Sequence, residues 1–392
     1  MGCCDGRLDD VAAMELALLL AKRGRGSVEP NPMVGCVVVR DGRLIGWGYH
    51  ARVGEAHAEP AALADVRARG FDPAGATVYV TLEPCCHTNK RTPPCVPALL
   101  DAEVGRVVVG TLDPNPAVNG EGVRQLREAG VTVDLGPTPQ LQAACRQLIA
   151  PFVANTVLGR PFVTVKWAQD REGRIARSDG TPMQITGPAA TEAMHRYRAL
   201  IGRFGGIAIG GETLRRDDPL LTARPRGTSP ATAVQPRRIV FTRKALLPAA
   251  ARLFHSPGGE VLTYRVGTDV ATLAEALQDL LQRGVHELLV ESGGGLAVAL
   301  SEARLVDRYW LLRPHDGQLM PSQGVEKAAS LVWCDDVMAE SATVLFDEDV
   351  LLEAWDRRSG TFAAAEPSAD IRWLSQLPRE AAASRLIHPA MT

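Results

Sequence analysis

Alternating and amphipathic hydrophobic patterns divide the first part of the chain into strands and helices. Apolar residues at helical spacing predict a helix over residues 10–23. The segment MVGCVVVRDGRLIGWGYH predicts two strands around an Asp41-Gly42 turn, a strong short-range hairpin signal. Further strands and helices alternate through ATVYVTLEP, RVVVGTLDPNP and GVRQLREAGVTVDLG. This alternation predicts an α/β fold for the first part of the chain.

The pattern restarts after about residue 160. PFVTVKWAQ predicts a strand, TEAMHRYRALIG a helix, and VHELLVESGGG a strand that runs into a glycine-rich turn. A chain of 392 residues is also longer than a single core normally accommodates. We therefore predict α/β domains over residues 1–155 and 156–357. The tail over residues 358–392 is expected to be surface helix or disorder.

Composition and charge exclude several classes of protein. The formal net charge of −2 creates no basic field that would attract nucleic acid or an anionic membrane. No apolar run reaches the roughly 18 residues of a membrane-spanning helix, and acidic residues before the first apolar run argue against a signal peptide. Eight unevenly spaced cysteines in a long chain argue against a secreted disulfide scaffold. We expect a cytoplasmic protein that binds neither nucleic acid nor membranes.

The stretch TLEPCCHTNKRTPPC concentrates candidate metal ligands. Zinc prefers thiolate and imidazole ligands, and a catalytic zinc keeps one of its four positions for water. His57 at the start of one predicted helix, with Cys85 and Cys95 before the next, provides such a set. Glu59 can carry a proton between that water and a leaving amine. Zinc deaminases show this arrangement as H-x-E followed by P-C-x-x-C, although nine residues separate the two cysteines here.

Other interpretations of these residues stay open on the sequence alone. Cys86 and His87 compete with Cys85 on local spacing, and Cys85 is preferred because a proline precedes it, as in the deaminase signature. A structural zinc site in a scaffold protein would use the same ligand types. Such a site needs no carboxylate beside the metal, so Glu59 favours an enzyme.

The ordered segments PNPMVGCVVVRDGRLIGWGYH, GEAHAEPAAL, TLEPCCH, RTPPC and DPNPAVNGEG resemble the deaminase half of the bifunctional riboflavin-biosynthesis deaminase/reductase (RibD) family. The resemblance covers about residues 12–150. It implies a cytidine-deaminase-like layered α/β/α domain that acts on a diaminopyrimidinone ribosylamino phosphate. It also implies Zn²⁺ on His57, Cys85 and Cys95, with Glu59 as the proton shuttle. The residues that it places at the substrate are Asn31, His50, Lys90 and Arg91.

One feature of the metal loop differs from the family pattern. The loop HTNKRTPPC is one residue longer than usual and lacks the family's glycine. Loops tolerate such changes in length at small cost, so the zinc ligands are expected to keep their places.

Downstream, PFVTVKWAQDREGRIA, DDPLLTAR, LLVESGGGL and RLVDRYWLL resemble the reductase half of the same family. The resemblance implies a dihydrofolate-reductase-like α/β domain that uses NADPH to open and reduce the ribose of the deaminated product. Arg198 and Arg224 would bind the substrate phosphate, since arginine forms bidentate bonds with phosphate. Family members often form dimers or tetramers, so we expect a homo-oligomer. The implied cofactor-site residues are Lys166, Thr186, Asp217, Glu291 and Gly293.

Several positions of the second half depart from the family pattern. The family's SLDG is DREG at residues 170–173, and Gln184 replaces an expected tryptophan. Gly205 or Gly206 falls where an aspartate is expected. A second function therefore stays open: a deaminase with an inactive reductase-like domain, in a pathway that borrows riboflavin intermediates, such as one making a toxoflavin-like azapteridine. Salvage cytidine or guanine deaminases share the metal motif but normally lack the second domain.

Overall fold

The structure of the chain is a computed structural model. The structure describes residues 7–87, 92–115, 118–177, 183–244, 246–267, 270–292, 294–314 and 338–358. These residues form two compact units, one ending at Leu158 and one beginning at Gly159. The domain limits drawn from the sequence stay predictions, and the predicted tail lies outside the described residues except for Arg358. No helix in the described ranges is long and apolar enough to cross a membrane.

The first unit is built on a sheet of five described strands. The strands are β1 (Gly35–Arg40), β2 (Arg43–Tyr49), β3 (Thr77–Val80), β4 (Arg106–Val109) and β5 (Thr132–Leu135). Their order is β2-β1-β3-β4-β5, with β1 antiparallel to both neighbours and β3, β4 and β5 parallel. Asp41 and Gly42 have positive φ values of 51° and 76°, as a type I′ turn requires. The predicted hairpin is therefore confirmed.

Helices cover both faces of this sheet. They are α1 (Asp10–Ala21, followed by a 3₁₀ turn), α2 (Ala58–Ala68), α3 (Cys95–Asp101), α4 (Glu121–Glu128), α5 (Pro139–Leu148) and α6 (Ala150–Thr156). Successive side chains of a strand point to opposite faces. Cys36 and Val38 of β1 accordingly pack in one cluster with residues of α2, α3 and α4. On the other face α1 packs on β1 and β3 and contacts α5, where Cys145 is buried against Met14.

Two glycines of β2 allow α2 to lie directly against the sheet. A Cβ atom at Gly48 would come within 2.4 Å of the Ala62 nitrogen and 2.7 Å of the Ala58 oxygen. A Cβ atom at Gly46 would come within 2.4 Å of Val66 Cγ2. Only glycine permits this approach of the two backbones. The start of α2, where His57 and Glu59 lie, is thereby seated on the sheet.

The second unit is built on a larger sheet. Its described strands are β6 (Phe162–Ala168), β7 (Gly205–Gly210), β8 (Arg237–Thr242), β9 (Val261–Arg265), β10 (Glu287–Glu291), β11 (Arg308–Pro314), β12 (Met338–Phe346) and β13 (Asp349–Asp356). The order is β12-β13-β11-β6-β10-β7-β8-β9. The strands from β11 to β9 are parallel, and β13 and β12 add an antiparallel edge. An α/β fold in both units is thus confirmed.

The direction of chain progression reverses between β7 and β10. The helices of this unit are α7 (Pro188–Leu200, followed by a 3₁₀ turn), α8 (Gly211–Asp217), α9 (Arg252–His255), α10 (Val270–Gln282) and α11 (Gly295–Glu302). After β7 the chain passes through α8 to β8 on one side, and after β10 it passes through α11 to β11 on the other. Open α/β sheets bind ligands in the crevice at the carboxyl ends of strands where such a reversal occurs.

Candidate active sites

Three candidate metal ligands converge in the first unit. His57 immediately precedes α2, Cys95 is the first residue of α3, and Cys85 lies in the loop that follows β3. His57 Nδ1 lies 3.5 Å from Cys85 Sγ and 3.4 Å from Cys95 Sγ, and the two sulfur atoms are 3.4 Å apart. The backbone N–H of Cys95 donates to the Cys85 carbonyl at 2.9 Å, which holds the two cysteine segments together.

The spacing of these three atoms fits a tetrahedral zinc ion. Zinc–sulfur bonds of about 2.3 Å and zinc–nitrogen bonds of about 2.0 Å place neighbouring ligand atoms roughly 3.5–3.8 Å apart around a tetrahedral centre. The two nitrogen–sulfur distances of 3.4 and 3.5 Å lie within 0.1 Å of the lower limit, and the sulfur–sulfur distance of 3.4 Å is shorter than that limit. Within the described ranges, this is the one group of histidine, cysteine and acidic side chains close enough to share a metal ion. Three protein ligands would leave the fourth position of a bound zinc ion to water.

Glu59 is a buried carboxyl group beside the ligands. It lies in the first turn of α2 with 3% of its surface exposed. Burial, and after it the neighbouring Cys85, raises the pKa of Glu59 to about 7, and its carboxyl interacts with the Cys95 side chain. A carboxyl group that gains and loses a proton near neutral pH suits general acid–base catalysis.

Asn31 and His50 lie together next to the candidate ligands. Asn31 Nδ2 is 3.1 Å from His50 Nε2, and the ring centroids of His50 and His57 are 5.4 Å apart. His50 Nδ1 lies 3.0 Å from the Ala56 carbonyl, so Nδ1–H donates to that oxygen and Nε2 accepts from the Asn31 amide. Burial lowers the pKa of His50, consistent with this neutral form. Both predicted substrate residues therefore border the same centre.

The structure separates the competing ligands. Cys86 is half-buried and His87 is exposed, and neither belongs to the group of ligand atoms around His57. Cys85 takes the place expected from its preceding proline. Lys90 and Arg91, the other two predicted substrate residues, lie outside the described residues, and so do Cys3 and Cys4.

Glu83, which sequence reasoning passed over, ties the cysteine segment to a distant loop. Its carboxylate is 3% exposed and accepts three backbone N–H bonds. Oε2 accepts from Asp113 at 3.0 Å and from Gly120 at 2.9 Å, and Oε1 accepts from Val123 at 3.1 Å. Asp113 is itself buried, and burial raises the pKa of its carboxyl. Glu83 thus fixes the loop before α4 relative to Cys85.

Replacing Glu83 by glutamine is expected to lower the free energy of unfolding of the first unit by about 1–3 kcal/mol. The new amide nitrogen cannot accept a hydrogen bond, so at least one buried N–H loses its partner. Urea unfolding of the full chain measures the effect. Exposed Glu15 of α1 supplies the control, because Glu15→Gln should stay within about 0.5 kcal/mol of wild type. An unchanged midpoint for Glu83→Gln would contradict the proposed tie.

A cavity of about 1150 Å³ occupies the reversal point of the second sheet. Its walls include the residues that follow β7 and β10, among them Gly211 and Gly295 at the starts of α8 and α11. Gly293 lies outside the described residues, and its neighbours Ser292 and Gly294 line the cavity. Four of the predicted cofactor residues line it as well: Lys166, Thr186, Asp217 and Glu291.

Half-buried charged side chains meet at this cavity. Arg198 Nε donates to Glu291 Oε1 at 3.1 Å, and its Nη2 donates to Oε2. Burial alone would raise the pKa of Glu291, but the charges of Arg198 and Lys166 hold it below its ordinary value. Burial lowers the pKa of Lys166. Arg198 Nη1 also donates to the Thr222 carbonyl at 3.1 Å, and Arg224 donates to the Thr222 hydroxyl at 2.6 Å. The two predicted phosphate-binding arginines therefore share a neighbour.

Residues at the positions that depart from the family pattern form regular contacts within the second unit. Asp170 Oδ1 accepts from the backbone nitrogens of Glu172 at 3.1 Å and Arg174 at 2.7 Å, which closes a turn. Gly205 and Gly206 are buried within β7. A Cβ atom at Gly206 would approach Ile239 Cδ1 to 2.4 Å, so a larger side chain would require a shift there. The fold accommodates these departures.

Two known protein families match the chain, one over most of the first unit and one over most of the second. Residues 8–111 match the cytidine and deoxycytidylate deaminase zinc-binding region, and residues 161–313 match the RibD C-terminal domain. Together with the fold and the converged His57, Cys85 and Cys95, these matches define the class. The chain is a pyrimidine deaminase of the zinc-binding type with a reductase-type domain following it.

Curated relatives extend the match over most of the chain. The riboflavin biosynthesis protein RibD of Aquifex aeolicus is 38% identical over 71% of this chain and 73% of its own length. RibD of Escherichia coli is 36% identical over 76% of this chain and 86% of its own length. A solved structure of Acinetobacter baumannii RibD is 31% identical, with a TM-score of 0.69, and covers 88% of this chain and 98% of that one. The chain belongs to the RibD family of riboflavin-biosynthesis enzymes.

Proposed function

We propose that the first unit hydrolyses the amine of a diaminopyrimidinone ribosylamino phosphate in riboflavin biosynthesis. The observation that carries the proposal is the buried carboxyl of Glu59 beside the ligand set of His57, Cys85 and Cys95. A purely structural zinc site needs no such carboxyl group. Resemblance to the family supplies the identity of the substrate.

In this proposal the chain's own residues hold the metal and move protons. His57, Cys85 and Cys95 would hold zinc, and zinc would supply Lewis-acid activation of a water molecule. Glu59 accepts a proton from that water as its oxygen bonds to the pyrimidine carbon, and donates it to the amine as the carbon–nitrogen bond breaks. Water is consumed and ammonia leaves, so the atoms balance. Asn31 offers its amide to the pyrimidine, and its contact with His50 holds that amide in place.

For the second unit we propose NADPH-dependent reduction of the ribosyl group of the deaminated product to a ribityl chain. NADPH supplies a hydride when it is bound. The cavity at the sheet reversal supports this assignment, because the fold places four predicted cofactor residues in its lining: Lys166, Thr186, Asp217 and Glu291. Arg198 pairs with Glu291 of the cavity wall, and Arg224 shares the neighbour Thr222 with it; these two arginines would bind the substrate phosphate.

Substrate choice tests the first assignment directly. Purified protein is offered the diaminopyrimidinone ribosylamino phosphate, cytidine and guanine in parallel, and released ammonia is measured. The proposal expects release from the ribosylamino phosphate alone. Release from cytidine or guanine instead would indicate a salvage deaminase.

Two further assignments rest on the resemblance and the composition. We propose a homo-oligomer, which light scattering of the purified chain would show as a mass that is a multiple of the 42.0 kDa protomer. We also propose a cytoplasmic location, where thiols such as those of the two candidate cysteine ligands stay reduced.

A further inference from the structure

The imidazole of His57 has a partner on the side away from the cysteines. Its Nδ1 faces the two sulfur atoms at 3.4–3.5 Å, and its Nε2 lies 3.0 Å from the hydroxyl oxygen of Thr92. Thr92 comes from the RTPPC segment, 35 residues away in the chain. One ring nitrogen of His57 therefore faces the candidate metal site, and the other contacts the Thr92 hydroxyl.

The ligand geometry fixes the direction of this hydrogen bond. A histidine nitrogen that binds zinc uses its lone pair, so Nδ1 must carry no proton when the metal is bound. The proton of the neutral ring then sits on Nε2, and Nε2–H donates to the Thr92 oxygen. Groups that accept this second N–H set the tautomer and the ring orientation of a metal-binding histidine.

We propose that Thr92 is a positioning residue of the zinc centre, which it serves through His57 without touching the metal. The inference rests on the proposed zinc function and adds a residue to it. The hydroxyl of Thr92 holds the imidazole in the Nε2–H form with Nδ1 directed at the site that the metal would occupy.

Two prolines make this arrangement stiff. Pro93 and Pro94 join Thr92 to Cys95, and each proline fixes its own φ and restricts the residue before it to extended conformations. Pro94 has φ −65° and ψ 150°, and Cys95 then begins α3. One short segment therefore delivers both a zinc ligand and the group that orients another ligand.

The matched substitutions Thr92→Val and Thr92→Ser separate the hydroxyl from the packing of the side chain. Valine keeps the shape and removes the acceptor, whereas serine keeps the acceptor and removes a methyl group. Zinc affinity is measured on the full chain by competition with a chromogenic chelator. We expect a loss of about 10- to 100-fold for Thr92→Val and a change of no more than about threefold for Thr92→Ser.

A second measurement reads the tautomer itself. Nitrogen-15 NMR of the zinc-loaded wild type should show His57 protonated at Nε2, and Thr92→Val should shift or broaden that signal. Wild-type affinity for zinc in Thr92→Val, or equal losses in both variants, would overturn the role of the hydroxyl. Wild-type protein that binds no zinc at all would instead overturn the proposed function.

Discussion

Replacing Glu59 by glutamine is expected to lower the deamination rate by about 10²- to 10⁴-fold while the chain still binds one zinc ion. Glutamine keeps the size of the side chain but can neither accept nor deliver the proton that the reaction moves. Zinc binding should survive, because Glu59 is not among the three converged ligands. Ammonia release and zinc content are measured on the same preparation.

The variant should also fold. Burial raises the pKa of Glu59 from its ordinary value of 4.5 to about 7. Between these two pH values, the Glu59 carboxyl of the metal-free chain holds a proton in the folded state and has released it in the unfolded state. Stability contributed by this group is therefore greatest below its unfolded pKa and falls as pH rises towards 7. A neutral glutamine removes that loss.

Glu128→Gln, at a side chain 60% exposed on α4, is the control and should keep wild-type activity. Turnover at the wild-type rate in Glu59→Gln would contradict the proposed role of Glu59 as proton shuttle.

Removing zinc is expected to abolish deamination completely and to leave the reductase step within about twofold. The ligand group lies in the first unit, and the described residues of the second unit contain no group of histidine, cysteine and acidic side chains close enough to hold a metal. The chain is treated with a strong zinc chelator and then separated from it. Deamination is followed by ammonia release, and reduction by NADPH consumption with substrate that has already been deaminated.

Restoring zinc provides the control for this experiment. Added zinc should return deamination to its original rate without changing NADPH consumption. Deamination that persists in metal-free protein would contradict the assignment of His57, Cys85 and Cys95 as ligands. Loss of both activities on zinc removal would contradict the expectation that the reductase step needs no zinc.

The hairpin and the candidate metal ligands could be predicted from the sequence because their signals are local. Asp41-Gly42 determines its own turn, and His57 and Glu59 sit two residues apart at the start of one helix. The structure placed Cys85 rather than Cys86 with His57, as the preceding proline predicted. Fold class followed from the alternation of strands and helices.

Other parts of the sites could not be read in this way because they depend on long-range contacts. Thr92 meets His57 across 35 residues, and Glu83 meets Val123 across 40. Both residues lie within the segment TLEPCCHTNKRTPPC, but no local sequence pattern predicts which groups they contact. The cavity of the second unit depends on the parallel order of β7 and β10, which sequence periodicity does not encode. Its residues were predicted through family resemblance, and their roles stay predictions.

The most direct test of the whole account is the mass of the product formed from the diaminopyrimidinone ribosylamino phosphate in the presence of NADPH. The account predicts a product that has exchanged an amine for oxygen and gained two hydrogens in its sugar. A product that is deaminated but still carries the ribosyl group would contradict reduction by the second unit and favour a pathway that borrows riboflavin intermediates. Unchanged substrate, with zinc bound, would contradict the central claim that this chain is the deaminase.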